Sequence, residues 1–501
     1  MLQSEDLTVA LLTLAGLAFV LLTAAGLWRL SQRRRLAAFR RAYVPPRVDP
    51  PNGGRRRKVL IVSTTPMRAD GSLIKQSRLW LPALNVALLA ALTPPDWDVE
   101  IVYETIEDVP LDTDADLVAI SGMGVGLWRG AQIADELRRR GKTVIMGGPM
   151  ATLVPDQALE HCDAVCVGEG EPVWERMLRD FEKGELQRRY EVRRPEEEVG
   201  KIGRLKGLPV PRYDLLARKA IGFWLPVQVG RGCPYHCDFC SIAAEWQGRY
   251  VRRELDEVER DVQAARAAGF DKILVIDDNI SGDPRYALDL FAVLKRQRVR
   301  WMSQCALSIA RQPELLAAAK ASGCTTLSFG LETLNQESLD SVGKKFVRVE
   351  EYREQLAVVR AAGIDVSTEM MLGMDGDGPD SFDRIADFVV SERIAVPRFY
   401  IVTPIPGTPL YRAWDEEGRI FDRDPSHYTA AKAVFQPRNM TAAELDAGYW
   451  RLYERTFTLG AILKRFFLRP PPVGLLPALF LLGANLQYRA HIKKRICPGI
   501  V

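Results

Sequence analysis

The sequence predicts an α/β protein: two successive strand–helix alternations, preceded by a membrane-length apolar segment and followed by a helical extension. Three observations predict it. From Lys58 onward, short β-rich apolar runs alternate with amphipathic stretches, the pattern of a parallel sheet covered by helices. The alternation pauses in a charged stretch near residues 183–212 and restarts at Phe223. The chain also has 501 residues, 47% of them hydrophobic, enough for roughly two to four domains that each bury a core.

The apolar segment comes first. Residues 7–30, LTVALLTLAGLAFVLLTAAGLWRL, carry no charge before Arg29, a length that crosses a bilayer as a helix. Glu5 and Asp6 precede it; Arg29, Arg33, Arg34, Arg35, Arg40 and Arg41 follow, then Arg55, Arg56, Arg57 and Lys58. That asymmetry places everything after residue 30 in the cytoplasm and sets the expectation of a single span in the cell inner membrane. A cleaved signal peptide would start basic and be shorter; this start is acidic. The balance of 68 basic against 64 acidic residues gives no indication of nucleic acid binding.

Residues 31–57 read as a basic, Pro/Gly-rich linker. Within 58–200, KVLIVST, VEIVYE, DLVAISG, TVIMGGP and AVCVGEGE read as strands, with LPALNVALLAAL and GLWRGAQIADELRRR as helices. The expected product is a doubly wound, Rossmann-like sheet, whose ligands lie at the carboxyl ends of the strands. Those ends carry Ser121 and Gly122, Gly147 and Gly148, and Gly168, Glu169, Gly170 and Glu171. Glycine there lets a large planar or phosphate-bearing ligand approach the backbone. Within 220–415, six strand-like runs begin at FWLPVQVGRG and end at RFYIVTPIPG, predicting a (β/α)6 partial barrel with its site at the strand ends. Residues 416–501 read as helical; the segment PPPVGLLPALFLLGANL is too short to span comfortably and reads equally as interfacial or as a core helix.

Eight cysteines in a cytoplasmic body do not form a disulfide framework, and five are scattered. The other three stand in GRGCPYHCDFC: Cys233, Cys237 and Cys240, spaced C-x3-C-x2-C in a Gly-rich loop just after a strand. Zinc would take a fourth ligand, and His236 lies in the loop, but no second ligand pair is near. A four-iron cubane takes one thiolate per iron, so three cysteines leave one iron open to substrate or cofactor.

This loop, with Phe239 before the last cysteine, resembles that of the radical SAM enzymes. The resemblance implies that Cys233, Cys237 and Cys240 hold a 4Fe–4S cluster, and that S-adenosylmethionine (SAM) chelates the open iron and yields a 5′-deoxyadenosyl radical. It implies cofactor contacts at Asp277, Asp278 and Asn279 after the second strand and at Glu332 after the fourth, Glu332 also being a candidate helix cap. The segment GGPMATLVPDQAL…CDAVCVGEGEPVWERML resembles the cobalamin-binding domain fused ahead of many such enzymes. Cobalamin would therefore lie at the glycine-rich strand ends. The Asp-x-His-x-x-Gly motif of other cobalamin domains is absent, STTPMRADGS standing in its place, so the cobalt is expected base-off with no histidine ligand.

Together these imply a cobalamin-dependent radical SAM methyltransferase of the hopanoid-methylase and tetrapyrrole-cyclase kind. The anchor and the tail ELDAGYWRLYERTF add the expectation of a lipid-like substrate such as a hopanoid, or a membrane-associated tetrapyrrole. A flavodoxin- or ferredoxin-like electron donor is implied as partner. The alternatives are an oxidative cyclase or C–C bond-forming enzyme with the same cofactors, and a membrane-tethered cobalamin or redox sensor with an inert barrel.

Overall fold

The structure is a computed structural model that describes residues 30–31, 33–50, 53–68, 71–122, 126–192, 202–467 and 475–498. The expected anchor, but for Leu30, lies outside the described residues. Among those described, no helix is long and apolar enough to cross a membrane.

The first sheet comprises β1 (Arg57–Ser63), β2 (Trp97–Tyr103), β3 (Leu117–Ser121), β4 (Thr143–Gly147), β5 (Ala164–Val167) and β6 (Arg189–Glu191). Its order is β2-β1-β3-β4-β5-β6, and every pair is parallel. β1 explains why helices cover both faces. Val59 and Ile61 join one core with Val86, Ala87 and Trp174, while Leu60 and Val62 join another with Leu127, Ile133 and Leu137. Side chains alternate across a strand, so a run of four buried apolar residues supplies two cores. The strand order reverses between β1 and β3, where a crevice opens at the carboxyl edge.

The charged stretch after residue 183 is more than a connector. It holds the edge strand β6 and then β7 (Ile202–Leu205), which forms a three-stranded sheet β7-β10-β9 with β9 (Gly230–Gly232) and β10 (Tyr250–Arg253). Edge strands this short and charged carry no apolar run by which to be recognised. The expected linker 31–57 likewise contains a helix, residues 33–43, whose Phe39 is fully buried near the Tyr213 ring, while Arg40 Nε reaches buried Asp214 at 3.1 Å. Part of the basic run is thus spent on packing the body rather than left free.

The second large sheet contains β8 (Trp224–Gln228), β11 (Lys272–Ile276), β12 (Arg300–Gln304), β13 (Cys324–Glu332), β14 (Asp365–Leu372) and β15 (Val396–Ile401). All six expected strands are present, parallel and in sequence order. β8 and β15 remain edges, so the barrel is open. The helix Ala442–Thr456 covers the β15 side. A complete capping box starts it, Thr441 Oγ1 accepting from Glu444 N while the Glu444 carboxylate accepts from Thr441 N.

Candidate functional site

Both sheets bring their carboxyl strand ends to a common border, where two cavities open. The first, about 1250 Å³ with the solvent at its mouth included, is lined by Cys233, Cys237, Phe239 and Cys240, by Asp278 and Asn279, and by Glu332 and Lys344. Backbone bonds hold the cysteine loop from several sides. Asp278 Oδ2 accepts from Gly232 N at 2.7 Å, Asp238 N donates to Val342 O at 3.0 Å, and Leu410 N donates to Asp238 O at 3.0 Å. Gly232 sits at φ +79°, and a Cβ there would meet Arg249 O at 2.2 Å, so only glycine fits this entry to the loop.

The thiols fit an iron–sulfur cluster. Burial pushes Cys233 up to about 11 and Cys237 up to about 12, and Cys240 is raised too. Neighbouring thiols add to the rise at Cys233 and Cys237, so both would stay protonated without a metal centre to take the charge. Among the described residues, no three Cys, His, Asp or Glu side chains close around a single ion. The three thiols instead share one larger cavity, which suits a cluster with one ligated iron per sulfur.

Glu332 lies at a register shift between β13 and β14 and at φ +65°, a left-handed conformation uncommon for a non-glycine residue. The bulge turns its carboxylate into the cavity, where Lys344 Nζ donates to Glu332 Oε1 at 2.5 Å and to Gly330 O at 2.7 Å. Burial raises Glu332, and Lys344 opposes the rise. Lys344 also lowers the Cys237 thiol. No sequence pattern marks this lysine: it stands in a loop, GKKFVR, with another lysine beside it.

Asp277 lines neither cavity. It is buried behind the cysteine loop, accepting from Tyr250 Oη and Asn279 N at 2.9 Å each, and burial lifts it to about 6. Asp278 is raised to about 7 by burial and by Asp277, against the Gly232 N–H. At the cavity wall, the rings of Tyr235 and Phe346 stack 3.7 Å apart at 9°.

The second cavity, about 1160 Å³ with the solvent at its mouth included, opens at the β1–β3 reversal and is lined by Ser121, Gly147, Gly148, Gly168, Glu169, Gly170 and Glu171, with Arg231 and Asp278 from the barrel side. Gly122 is not part of the lining; its Cβ position is closed by Gly126 and Leu127 backbone. Gly148, at φ +103°, is the position where the chain turns away from β4 and leaves the floor open. Apart from the solvent at their mouths the two cavities enclose about 280 and 270 Å³, near the lower end of the roughly 300–1,000 Å³ of ordinary small-molecule sites, so a large ligand would extend through the open mouth. A crevice floored by glycines and open on one side lets a broad flat ring such as a corrin approach the backbone. None of the four histidines lines it: His161 bonds Asp135, His427 bonds Asp422, and His236 and His491 lie elsewhere.

Asp278 lines both cavities. Arg231 then ties the halves together, its guanidinium donating to Glu169 Oε1 at 2.6 Å, to Glu171 Oε1 at 2.5 Å and to Gln228 Oε1. The two glutamates expected to contact a cofactor are therefore at the cavity and also ion-paired to the cysteine loop. No local pattern marks this pairing, because Arg231 lies 62 residues from Glu169 and 60 from Glu171.

A cluster loop beside a glycine-floored second cavity defines an iron–sulfur enzyme that works with a large cofactor on a separate domain. Residues 227–389 match the radical SAM superfamily, and residues 82–178 match the B12 binding domain. The chain thus carries a radical SAM domain and a B12 binding domain, and it is an enzyme whose domains take a 4Fe–4S cluster, SAM and cobalamin as cofactors. It is similar to a bacteriochlorophyllide d C-12(1)-methyltransferase of Chlorobaculum tepidum, 28% identical over 424 residues, covering 83% of this chain and 90% of that one. It is also similar to a hopanoid C-2 methylase of Rhodopseudomonas palustris, 26% identical over 69% of this chain and 66% of that one. In fold it is similar to the radical SAM methyltransferase TsrM from Kitasatospora setae, with a TM-score of 0.61 and 17% identity over 88% of this chain and 98% of that one.

Proposed function

We propose that this protein transfers a methyl group to an unactivated carbon of a large, ring-containing, largely apolar substrate, the class that includes both bacteriochlorophyllides and hopanoids. The observation that carries the reading is that the two cavities meet at Asp278, so that a group delivered from one can reach a carbon held in the other. When bound, the cluster with SAM supplies a hydrogen-abstracting carbon radical, and cobalamin supplies the methyl group.

The chain's own residues position and enclose. Cys233, Cys237 and Cys240 would hold the cluster on a loop fixed by Asp278, Val342 and Leu410. The Glu332–Lys344 pair presents a carboxylate and an ammonium to the polar parts of SAM, an arrangement that suits its ribose hydroxyls and its carboxylate. Tyr235, Phe346 and Met371 give the cavity an apolar wall that excludes water from a reactive centre. A cluster held by these cysteines would be reduced by an external electron donor. The cytoplasmic, membrane-anchored location expected from the sequence agrees with such a substrate.

The test is product mass. Full-length enzyme, reconstituted without oxygen with iron, sulfide, cobalamin, SAM and a reductant, is incubated with bacteriochlorophyllide d or with a hopanoid. A gain of one methylene, together with 5′-deoxyadenosine, is expected. Ring closure or added oxygen would favour a cyclase; absence of 5′-deoxyadenosine would sink both enzyme readings.

A further inference from the structure

We infer that the two C-terminal helices, Leu459–Phe467 and Leu475–Lys493, form a docking face for the surface of an anionic lipid bilayer. Each helix is apolar on both sides, which one packed face does not explain. The inner side is accounted for. Ile462 and Arg465 on the first helix, and Leu481, Asn485 and Ile492 on the second, are buried against the body. Arg465 donates to Asn485 Oδ1 at 2.9 Å and to Ile394 O at 3.0 Å, and Asn485 Nδ2 donates to Ala395 O at 2.9 Å, so the pair is pinned to the turn before β15.

The outer side is apolar as well. Leu459 and Leu463 are exposed one turn apart, and Leu479 and Leu486 are exposed two turns apart with exposed Gly483 between them. Four of the eleven large apolar side chains exposed among the described residues lie on these two helices, a concentration that marks a contact surface. Neither helix is long and apolar enough to cross a bilayer, so the face lies on a surface.

Charge selects the partner. From residue 459 to 501 the sequence contains Lys464, Arg465, Arg469, Arg489, Lys493, Lys494 and Arg495, and no Asp or Glu. Arg495 pairs with Glu454, and Arg465 is buried. Lys464, Lys493 and Lys494 are exposed and have no carboxylate partner among the described residues. Exposed leucines beside unpaired lysines suit acyl chains below anionic headgroups. A second copy of the chain would place these cations against their own images.

The experiment is hydrogen–deuterium exchange of the full-length protein in nanodiscs of phosphatidylglycerol or of phosphatidylcholine, with helix Ala442–Thr456 as internal reference. Exchange across residues 475–493 is expected to slow at least fivefold on phosphatidylglycerol relative to phosphatidylcholine, with the reference unchanged. Lys493→Glu/Lys494→Glu should remove the lipid preference, and Leu479→Glu/Leu486→Glu should remove the protection itself. Equal exchange on the two lipids overturns the inference, as does protection that appears without lipid and grows with protein concentration, which would indicate a second copy. Should a variant disturb the reference helix, the comparison of the two lipids with unaltered protein still decides. None of these readouts depends on methyl transfer.

Discussion

Arg231 lies 2.6 Å from Glu169 across the border between the two domains, and the same guanidinium reaches Glu171. Arg231 stands two residues before Cys233, while the glutamates stand on the loop after β5. Burial opposes the charge on Arg231, and the two carboxylates more than compensate. The ion pairs therefore register the cluster loop against the floor of the second cavity. Truncating one partner of such a buried network costs about 3–5 kcal/mol, because the charges left behind are unpaired. Arg231→Gln is expected to weaken cobalamin binding at least tenfold in a spectral titration, with the iron content of the reconstituted protein unchanged. Arg231→Lys keeps the charge but loses the fork, and should fall between. Unchanged cobalamin affinity in the glutamine variant would refute the coupling.

Lys344→Met should act on SAM rather than on the cluster. Without the ammonium, burial acts unopposed on Glu332 and drives its carboxyl towards the neutral form. A tenfold to hundredfold rise in the Kd for SAM, measured by equilibrium dialysis under anaerobic conditions, is expected, with cluster absorbance retained. Glu332→Gln should give a smaller loss, since the amide can still bond a hydroxyl.

Replacing Cys233, Cys237 and Cys240 together by alanine should abolish bound iron and 5′-deoxyadenosine formation while leaving the Tm within a few degrees. The loop is held by backbone bonds at Gly232 and Asp238 that the substitutions leave in place. Iron retained at the level of the unaltered protein would mean that the cluster sits elsewhere.

Apart from the short edge strand β6, the strands of the two large sheets were legible because their apolar runs are fully buried, as in Val59–Val62 and in Leu225 and Val227 of β8. The cysteine loop was legible because its spacing is local. What the sequence hid is set by tertiary contact. Glu332 meets Lys344 only because a bulge turns one strand end, and Arg231 meets Glu169 only because two domains dock. Gly122 looks like its neighbours in sequence, yet the helix start at Gly126 covers it, while Gly147 and Gly148 line the cavity. Asp277, Asp278 and Asn279 form one run in sequence, but Asp277 turns inward and only the other two reach the cavity.

Asp377 makes a prediction about pH. Its carboxylate accepts from Thr333 Oγ1 at 3.1 Å and from Gly373 N and Met374 N at 3.0 and 3.1 Å, yet burial holds its pKa at about 6 against an ordinary 3.8. A raised folded-state value means that the native protein binds the proton more tightly than the unfolded chain. That contribution is complete below about pH 4, is lost as pH rises through 6, and is on the order of 3 kcal/mol. Asp377→Asn removes the titration and can keep the acceptor for the two backbone N–H groups. The Tm of the variant relative to its parent should therefore move upward by several degrees between pH 4.5 and 7. A difference in Tm that stays flat over this range would contradict the assignment.

Tyr453 closes the outer edge of the second sheet. Phe399 N donates to Tyr453 Oη at 2.9 Å, and Tyr453 Oη donates to Phe399 O at 3.0 Å, so one hydroxyl satisfies both backbone groups of a residue on the side of β15 that pairs with no strand. The ring is fully buried and meets Phe399 edge-on, with centroids 4.9 Å apart. Tyr453→Phe preserves the ring and removes only the hydroxyl, leaving a buried N–H and a buried C=O unpaired at about 1–3 kcal/mol each. Thermal unfolding should begin several degrees lower, and backbone exchange at Phe399 should quicken, because an uncovered edge opens first. Neither Phe399 nor Tyr453 lines either cavity, so iron content and SAM affinity should stay as they were. A variant that keeps the parent's Tm would show that another donor and acceptor take the place of the hydroxyl.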